Sequence, residues 1–200
     1  PVPPGFTITT EACRVYLKKG ESPDELAVQV TKAIRQVEES MGKDLGDSTD
    51  PLLMSVRSGA KFSMPGMMET VLNIGLNDES VEGLAKQSGD PRFAWDSYRR
   101  LLQMFGRTVL HIEGDPFADA LHAMQDELGY SGDPDMTTED LKRLVGEFKE
   151  IVKKETGEDF PQDPRTQLDL AIDAVFNSWN TERAIIYRRR DLFPADMATA

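Results

Sequence analysis

Five Asp-Pro pairs punctuate this chain, and three of them stand directly before stretches whose apolar residues recur at helical spacing. Those three are Asp90-Pro91, Asp115-Pro116 and Asp163-Pro164. An aspartate at a helix start can accept a hydrogen bond from an otherwise unpaired backbone N–H, and proline has no N–H to leave unpaired. The pattern therefore predicts three helices with well-defined starting points.

Glycines and further capping residues complete the predicted helices. We expect the helix after Asp90 to end at Gly106 and the helix after Asp115 to end at Gly129, since glycine tolerates the left-handed conformation that closes a helix. Thr137 with Asp140 predicts the start of a fourth helix that ends at Gly157. A further capping box, in which Ser22 is the N-cap and Pro23 the first helical residue, predicts a helix over residues 23–40.

Strand signals lie only towards the two ends of the chain. Short apolar runs predict strands at residues 52–56 and 184–187, and residues 2–9 can supply an edge strand. Residues 80–162 contain helical signals only. This layout predicts an α+β fold, in which a mixed α/β subdomain of residues 1–76 and 163–200 is interrupted by an all-helical subdomain of residues 77–162.

The charge balance excludes several classes of partner. The 200 residues contain 35 Asp and Glu against 23 Lys and Arg, which gives a formal net charge of −12. Proteins that bind nucleic acids or anionic membranes through general electrostatics need an excess of basic residues. We therefore expect no nucleic-acid partner and no membrane partner, while a hydrophobic content of 39% is compatible with a packed core.

The ends of the chain and its single cysteine bear on its location. Cys13 cannot form an internal disulfide, and we expect it to be a small buried residue. The first residues do not resemble a signal peptide, and no apolar stretch is long enough to span a bilayer. A reducing, cytoplasmic location is the default expectation. Because the chain does not begin with methionine, we also expect it to be a piece of a longer protein.

One segment, residues 55–70, differs from the acidic remainder of the chain. It combines Arg57, Lys61, two glycines and four hydroxyl side chains after a predicted strand. Glycines let a backbone approach a ligand, successive N–H groups attract anions, and arginine presents a fork that matches phosphate oxygens. The alternative is a structural loop whose methionines fill a core, and the composition alone leaves both possibilities open.

Other familiar motifs do not fit the sequence. Gly59 and Gly66 are seven residues apart, and methionines stand where a Walker A loop needs Lys and Ser or Thr. An acidic loop that starts at Asp133 lacks the glycine and glutamate of an EF-hand. His111 and His122 lack metal-ligand spacing. We interpret Arg99 and Arg100 as part of a helix, with a contact to a partner or another domain as a minor possibility. The basic run at residues 188–190 is interpreted as the solvated end of a strand.

The wording of the basic segment resembles a known family. Residues 53–78 read Leu-Met-Ser-Val-Arg-Ser-Gly-Ala-Lys-Phe-Ser-Met-Pro-Gly-Met-Met-Glu-Thr-Val-Leu-Asn-Ile-Gly-Leu-Asn-Asp, which closely resembles the signature loop of the pyruvate, phosphate dikinases. Residues 1–10, 93–106, 174–180 and 183–189 are also similar to segments of that family. The resemblance therefore covers essentially the whole chain.

The resemblance implies an ATP-grasp-like nucleotide-binding domain and a set of site residues. In this family the domain transfers the β-phosphoryl group of ATP, with Mg²⁺, to a histidine on a separate swivelling domain, and the complete enzyme forms phosphoenolpyruvate, AMP and pyrophosphate. By position, Arg57 would contact the ATP phosphates. The backbone of residues 63–70 would cover them, and its residues are Ser63, Gly66, Met67, Met68 and Thr70 among others.

The resemblance also implies that essential parts lie outside these residues. The glycine-rich segment with its ATP-binding lysine is expected before Pro1, and the residues that hold nucleotide and Mg²⁺ are expected after Ala200. No catalytic residue and no metal ligand is expected within the chain itself. The implied partners are ATP and the phosphohistidine domain of the same parent protein, which is expected to be a homo-oligomer in the cytoplasm, or in a plastid or parasite organelle if eukaryotic.

Two other functions remain open at this level. The chain can be a non-catalytic acidic helical module that has no nucleotide affinity of its own. It can also be a helical domain that binds a different phosphorylated metabolite.

Overall fold

The computed structural model describes residues 2–59, 70–190 and 197–200. These residues form eight α-helices, one short 3₁₀ turn at Asp133–Asp135 and a two-stranded sheet. In chain order the elements are α1 (Thr10–Lys19), α2 (Asp24–Met41), β1 (Met54–Arg57), β2 (Thr70–Ile74), α3 (Ser80–Ser88), α4 (Pro91–Thr108), α5 (Pro116–Leu128), α6 (Thr138–Thr156), α7 (Pro164–Ser178) and α8 (Glu182–Arg190). The described part of the chain is thus α+β, mostly helical, as the sequence predicts.

Three helices begin at the Asp-Pro pairs, which confirms the predicted caps. The Asp90 carboxylate accepts from the backbone N–H of Phe93 at 3.0 Å, and α4 begins at the next residue, Pro91. The caps Asp115 of α5 and Asp163 of α7 likewise accept from the third backbone N–H beyond them, at 3.1 and 2.8 Å. Each cap satisfies a donor that has no partner within its helix.

The two predicted capping boxes have opposite outcomes. The Thr137 hydroxyl and the Asp140 carboxylate exchange hydrogen bonds with each other's backbone N–H at the start of α6, as predicted. The box at Ser22 is wrong, since α2 begins at Asp24 and its N-cap has no side-chain bond. The Ser22 hydroxyl instead donates at 2.9 Å to Asp173 on α7, so a long-range partner has displaced the local one.

β1 and β2 form an antiparallel hairpin with one irregularity. Arg57 lies opposite Thr70, and Val56 lies opposite Val71, but Met54 lies opposite Ile74, so β2 contains one extra residue. Such bulges bend a strand and redirect its side chains. Asn73 lies within this stretch of β2 and has a φ of +61°, one of two positive values at non-glycine residues in the described ranges.

Two other predicted strands are wrong. Residues 184–187 lie inside helix α8, where the N–H of Ile185 bonds the carbonyl of Thr181 at 2.9 Å, and residues 2–9 form no strand. A run of four apolar residues fits a strand or one turn of a helix equally well. In α8 Ala184 is buried, whereas Ile186 is 57% exposed. The arginines at 188–190 therefore form the last turn of a helix and not a strand end.

Gly106 does not end a helix as predicted. Helix α4 continues to Thr108, and a Cβ atom at Gly106 would lie 2.4 Å from the Phe117 ring. This glycine allows α4 and α5 to approach closely. Gly129 and Gly157 do close α5 and α6 in left-handed conformations, as predicted.

A continuous hydrophobic core joins the helices and the hairpin. Cys13 is fully buried in it, as expected, and its members extend from α1 through α4 and α6 to α7. Residues 80–162 are helical apart from loops and the short 3₁₀ turn, in agreement with the sequence pattern. The boundaries at residues 76 and 162 of the two proposed subdomains remain a prediction.

Gln167 ties together the two chain segments that lead into and out of the helical region. Its fully buried amide accepts from the N–H of Gly75 at 3.0 Å and donates to the carbonyls of Leu76 and Pro161 at 2.9 and 2.8 Å. Three backbone groups that would otherwise be unpaired are satisfied by one side chain. This junction holds β2, and with it the hairpin, against α7.

Candidate functional site

The end of the hairpin where β1 stops and β2 starts places two predicted site residues together. Arg57, the last residue of β1, is exposed and lies opposite Thr70, the first residue of β2. The Arg57 Nε donates to the Ser55 hydroxyl at 3.3 Å. The other predicted site residues, Ser63, Gly66, Met67 and Met68, lie outside the described residues.

The chain entering this segment is held from one side. The backbone groups of Gly59 and Ala200 exchange two hydrogen bonds, at 2.8 and 2.6 Å. The buried Thr199 also donates from its hydroxyl to the Gly59 carbonyl at 3.2 Å. The position from which residues 60–69 depart is thus set by contacts that are remote in the sequence.

A cleft of about 720 Å³ begins at Thr70 and lies between β2 and α4. Leu72 and Asn73 of β2 form one wall, and the other is formed mainly by α4. The remaining lining residues are Arg99, Arg100, Gln103, Met104, Arg107, Thr108, Asp133 and Arg183. A cleft of this volume is large enough for a small-molecule ligand.

Arginine dominates the charge of this cleft. Four arginines line it against one carboxylate, that of Asp133, although the chain as a whole has a net charge of −12. The Arg107 guanidinium forms an ion pair with the Asp115 carboxylate at 3.3 Å, and the Arg100 side chain is 59% exposed. Clefts lined by one sign of charge attract ligands of the opposite sign. The arrangement suits an anion with several oxygen atoms.

Sequence reasoning found only part of this cleft. It noted Arg99 and Arg100 as a helical pair, and it missed Arg107 and Arg183. One signal was available, because residues 100, 103 and 107 are spaced three and four apart and so share a face of α4. No local signal connects that face with Thr70 or Arg183, which come from other elements.

A buried ionic network underlies the cleft. Arg99 is only 4% exposed, and its guanidinium binds the carboxylates of Asp96 and Asp133. Asp133 also accepts from the side-chain amide of Gln125 at 2.9 Å. Arg92 adds a bond at 2.9 Å to the carbonyl of Met136. These contacts attach the 3₁₀ turn to α4 at the floor of the cleft.

The bulge in β2 orients another polar group at the cleft. The side-chain amide of Asn73 donates to the Ser97 carbonyl of α4 at 3.1 Å. Since asparagine tolerates a positive φ better than most residues, the bulge fits the residue found there. Strand and helix are therefore linked by a side chain that itself lines the cleft.

A second cavity, of about 250 Å³, is lined by β1 together with residues 3–6, α2 and α7. Its walls are mostly apolar, and Arg57 is one of its lining residues. The structure thus brings Arg57 and Thr70 together across the strands but places them at two different cavities.

The described ranges contain no group of three or more His, Cys, Asp and Glu side chains that could hold a metal ion. His111 and His122 are both exposed. No helix in the same ranges is long and apolar enough to cross a membrane.

The fold and the cleft together define a helix-rich α+β domain with a basic cleft suited to polyanionic ligands. Comparison with known proteins identifies its family. Residues 18–200 match the model of the pyruvate phosphate dikinase AMP/ATP-binding domain, and the chain belongs to that family.

Individual relatives support this assignment. Pyruvate, phosphate dikinase of Clostridium symbiosum is 50% identical over 202 residues, which cover 100% of this chain and 23% of that protein. The enzyme of Giardia intestinalis is 50% identical over 200 residues, with the same coverage. Chloroplastic pyruvate, phosphate dikinase 1 of Oryza sativa subsp. japonica is 53% identical over 188 residues, 94% of this chain and 20% of that protein. The chain thus spans less than a quarter of the length of these relatives.

Proposed function

We propose that this chain forms part of the ATP-binding domain of a pyruvate, phosphate dikinase. In this proposal the domain has an ATP-grasp-like fold and transfers the β-phosphoryl group of ATP to a histidine on another domain, and the complete enzyme forms phosphoenolpyruvate, AMP and pyrophosphate. The observation that carries the proposal is the arginine-lined cleft between β2 and α4, which is a locally basic site in an acidic protein.

The chemistry of phosphoryl transfer is compatible with such a site. Little covalent chemistry is required of the protein, so catalysis depends on positioning the phosphates and stabilising the charge that develops on them. Arginine suits this task because it remains protonated and binds phosphate oxygens through two parallel N–H groups. We assign Arg100 and Arg107, which line the cleft, to phosphate contacts. The family resemblance adds a phosphate contact by Arg57, which lines the second cavity, and a covering role for the backbone of residues 63–70.

In this proposal Mg²⁺ binds together with ATP. The described residues form no cluster of metal-binding side chains, and the cleft contributes arginines rather than several carboxylates. Mg²⁺ prefers oxygen ligands. We therefore assign Mg²⁺ no ligand on the described part of the chain.

The wider setting is also part of the proposal. We infer that the phosphorylated histidine belongs to a separate domain of the same parent chain and that the parent is a homo-oligomer. A cytoplasmic location, or a plastid or parasite organelle in a eukaryote, remains a prediction from the sequence.

The role of Arg57 can be tested in the full-length protein. Arg57→Ala should strongly impair the half-reaction that uses ATP, because a phosphate contact is lost, and should leave phosphorylation of pyruvate by a pre-phosphorylated enzyme nearly unchanged. The two half-reactions are measured separately with isotopically labelled ATP and with isolated phosphoenzyme. Equal loss of both would contradict the assignment.

A calorimetric titration separates the proposal from the two other functions left open by the sequence. The 200-residue chain alone should bind Mg·ATP weakly, because it supplies one wall of the site, while the full-length protein should bind it well. Failure of the full-length protein to bind ATP would favour a non-catalytic module. Thermal stabilisation by another phosphorylated metabolite, and not by ATP, would favour a different ligand.

A further inference from the structure

Two adjacent arginines of α4 line the same cleft but have very different surroundings. Arg99 is buried, and its donors are engaged. Nε and Nη2 bind Asp96, Nη2 also binds Asp133 at 3.0 Å, and Nη1 binds the side-chain oxygen of Gln103 at 3.3 Å. Its charge is thus balanced by two carboxylates, and it has little capacity left for a ligand.

Arg100 differs because a single bond, at one edge of its guanidinium, holds it. Its Nε donates to Asp96 at 2.8 Å, and within residues 2–59, 70–190 and 197–200 it makes no other hydrogen bond. With respect to the described part of the chain, the two Nη groups, which carry four of its five N–H donors, are therefore available at the cleft. Arginine binds phosphate best when two parallel N–H groups point at the oxygens.

Asp96 connects the two arginines. One of its oxygens receives Arg99 Nε at 3.1 Å together with Nη2, and the other receives Arg100. The Asp96 side chain is only 16% exposed, and Asp96 is not among the described residues that line the cleft. An exposed ion pair is usually weak because both side chains must be ordered for it. Here Arg99 has already ordered the carboxylate that receives Arg100.

We propose that Asp96 is a positioning residue, which orients the Arg100 guanidinium so that its free edge binds a phosphate group in the cleft, while Arg99 serves the structure and does not bind the ligand. This inference rests on the proposed function, since it presumes that the cleft receives phosphate. It assigns different tasks to two adjacent arginines that simple charge counting would treat alike.

The test compares two single substitutions that each remove one carboxylate partner of Arg99. Asp96→Asn also disturbs Arg100, whereas Asp133→Asn does not. Coulomb attraction alone predicts that both variants bind anions more tightly, because each removes a negative charge near the cleft. The positioning role predicts that Asp96→Asn binds about tenfold more weakly, a typical size for coupled neighbours, and that Asp133→Asn binds as tightly as the parent or more so.

Affinities for inorganic phosphate and for ATP are measured by calorimetry on the full-length chain that carries these residues. In an Arg100→Gln background, Asp96→Asn should not weaken binding any further, since its target is absent. A merely structural Asp96 would lower the melting temperature of Asp96→Asn and would change the affinity equally in both backgrounds. If Asp96→Asn does not fold, Asp96→Glu keeps the charge beside Arg99, displaces the carboxylate by one methylene, and should still weaken binding.

The outcomes distinguish this inference from the proposed function. Loss of affinity in Arg100→Gln with parental affinity in Asp96→Asn would overturn the positioning role and leave phosphate binding in the cleft intact. Parental affinity in Arg100→Gln would instead contradict the assignment of the cleft to phosphate. Loss in Arg99→Lys without a change in stability would show that Arg99 binds the ligand and would overturn the division of tasks.

Discussion

The two sides of helix α4 differ in packing and in charge. The core side is closely packed, and its buried residues are Ala94, Tyr98, Leu101, Leu102, Phe105 and Gly106. The cleft side carries Arg100 and Arg107, whose side chains are 59% and 55% exposed. Interiors tolerate little change in volume, whereas exposed charges contribute little to stability. Substitutions on the core side should therefore cost stability, and those on the cleft side should cost ligand binding.

The largest effect on stability is expected when the same substitution is made at the buried junction on α7 and on the cleft side of α4. Gln167→Met leaves the N–H of Gly75 and the carbonyls of Leu76 and Pro161 without their partner. The free energy of unfolding should fall by about 3 kcal/mol or more, since each unsatisfied buried group costs about 1–3 kcal/mol. Gln103→Met on the cleft side loses only the bond from Arg99 and should cost less than about 1 kcal/mol. Urea denaturation measures both, and equal losses would contradict the comparison.

Close packing on the core side can be tested with two glycines inside helices. In Gly106→Ala the new Cβ would meet the Phe117 ring at 2.4 Å, while around Gly146 of α6 no atom lies within 4 Å of the added carbon. Overpacking typically costs about 1–3 kcal/mol, so we expect Gly106→Ala to be destabilised by about that amount. Gly146→Ala should be stabilised by up to about 1 kcal/mol, because alanine favours a helix. A stable Gly106→Ala variant would show that α4 and α5 can separate at little cost.

Tyr98 offers a smaller, pH-dependent effect on the core side. Its hydroxyl donates to Asp78 at 2.9 Å and accepts from Gln162. Burial raises the pKa of the phenol, and the Asp78 carboxylate raises it further. Tyr98→Phe should cost about 1 kcal/mol near neutral pH, the usual contribution of one hydrogen bond.

The raised pKa sets the direction of the pH dependence. The neutral phenol stabilises the native state fully below the unfolded pKa, and that contribution is lost as the pH rises towards the higher folded pKa. Above a pH of about 10, the parent should therefore lose about 1.4 kcal/mol per pH unit relative to Tyr98→Phe. Denaturation curves of both proteins between about pH 9 and 11, one unit on either side of the ordinary tyrosine pKa of about 10, measure this. A constant difference across that interval would show that Tyr98 ionises as freely in the folded state as in the unfolded one.

The smallest effect on stability is expected on the cleft side. Arg100→Gln and Arg107→Gln should each change the free energy of unfolding by less than about 0.5 kcal/mol, because exposed ion pairs contribute little. Each should nevertheless weaken ATP binding by the full-length protein about tenfold, through the loss of a charge-assisted hydrogen bond. Calorimetry and thermal unfolding on the same samples separate the two quantities. A large loss of stability in either variant would remove the distinction between the two sides.

Helix starts were the most predictable part of the fold. The caps at Asp90, Asp115 and Asp163 bond an N–H only three residues away, so that their partners are already present in the local sequence. The errors occurred where a distant partner intervened. Ser22 bonds Asp173, and Gly106 serves a contact with Phe117.

The candidate site was predictable only at one end. The motif at residues 53–78 indicates the family and predicts Arg57 and Thr70 as site residues. The structure pairs the two across the hairpin, but of the two only Thr70 lines the arginine cleft. The arginine cleft could not be derived in the same way, because its walls come from β2, α4 and residues as far apart as Thr70 and Arg183.

Local chemistry therefore determined most helix boundaries, the α+β class and the resemblance to a dikinase, since caps, periodicity and motif wording act over a few neighbouring residues. Packing alone decided which arginines meet and which of them retain donors for a ligand. Asp96 illustrates the reason, because its spacing from Arg99 and Arg100 is visible in the sequence. The difference in exposure between the two arginines is not visible there, since it depends on Asp133 and Gln125, which reach α4 only in the folded chain.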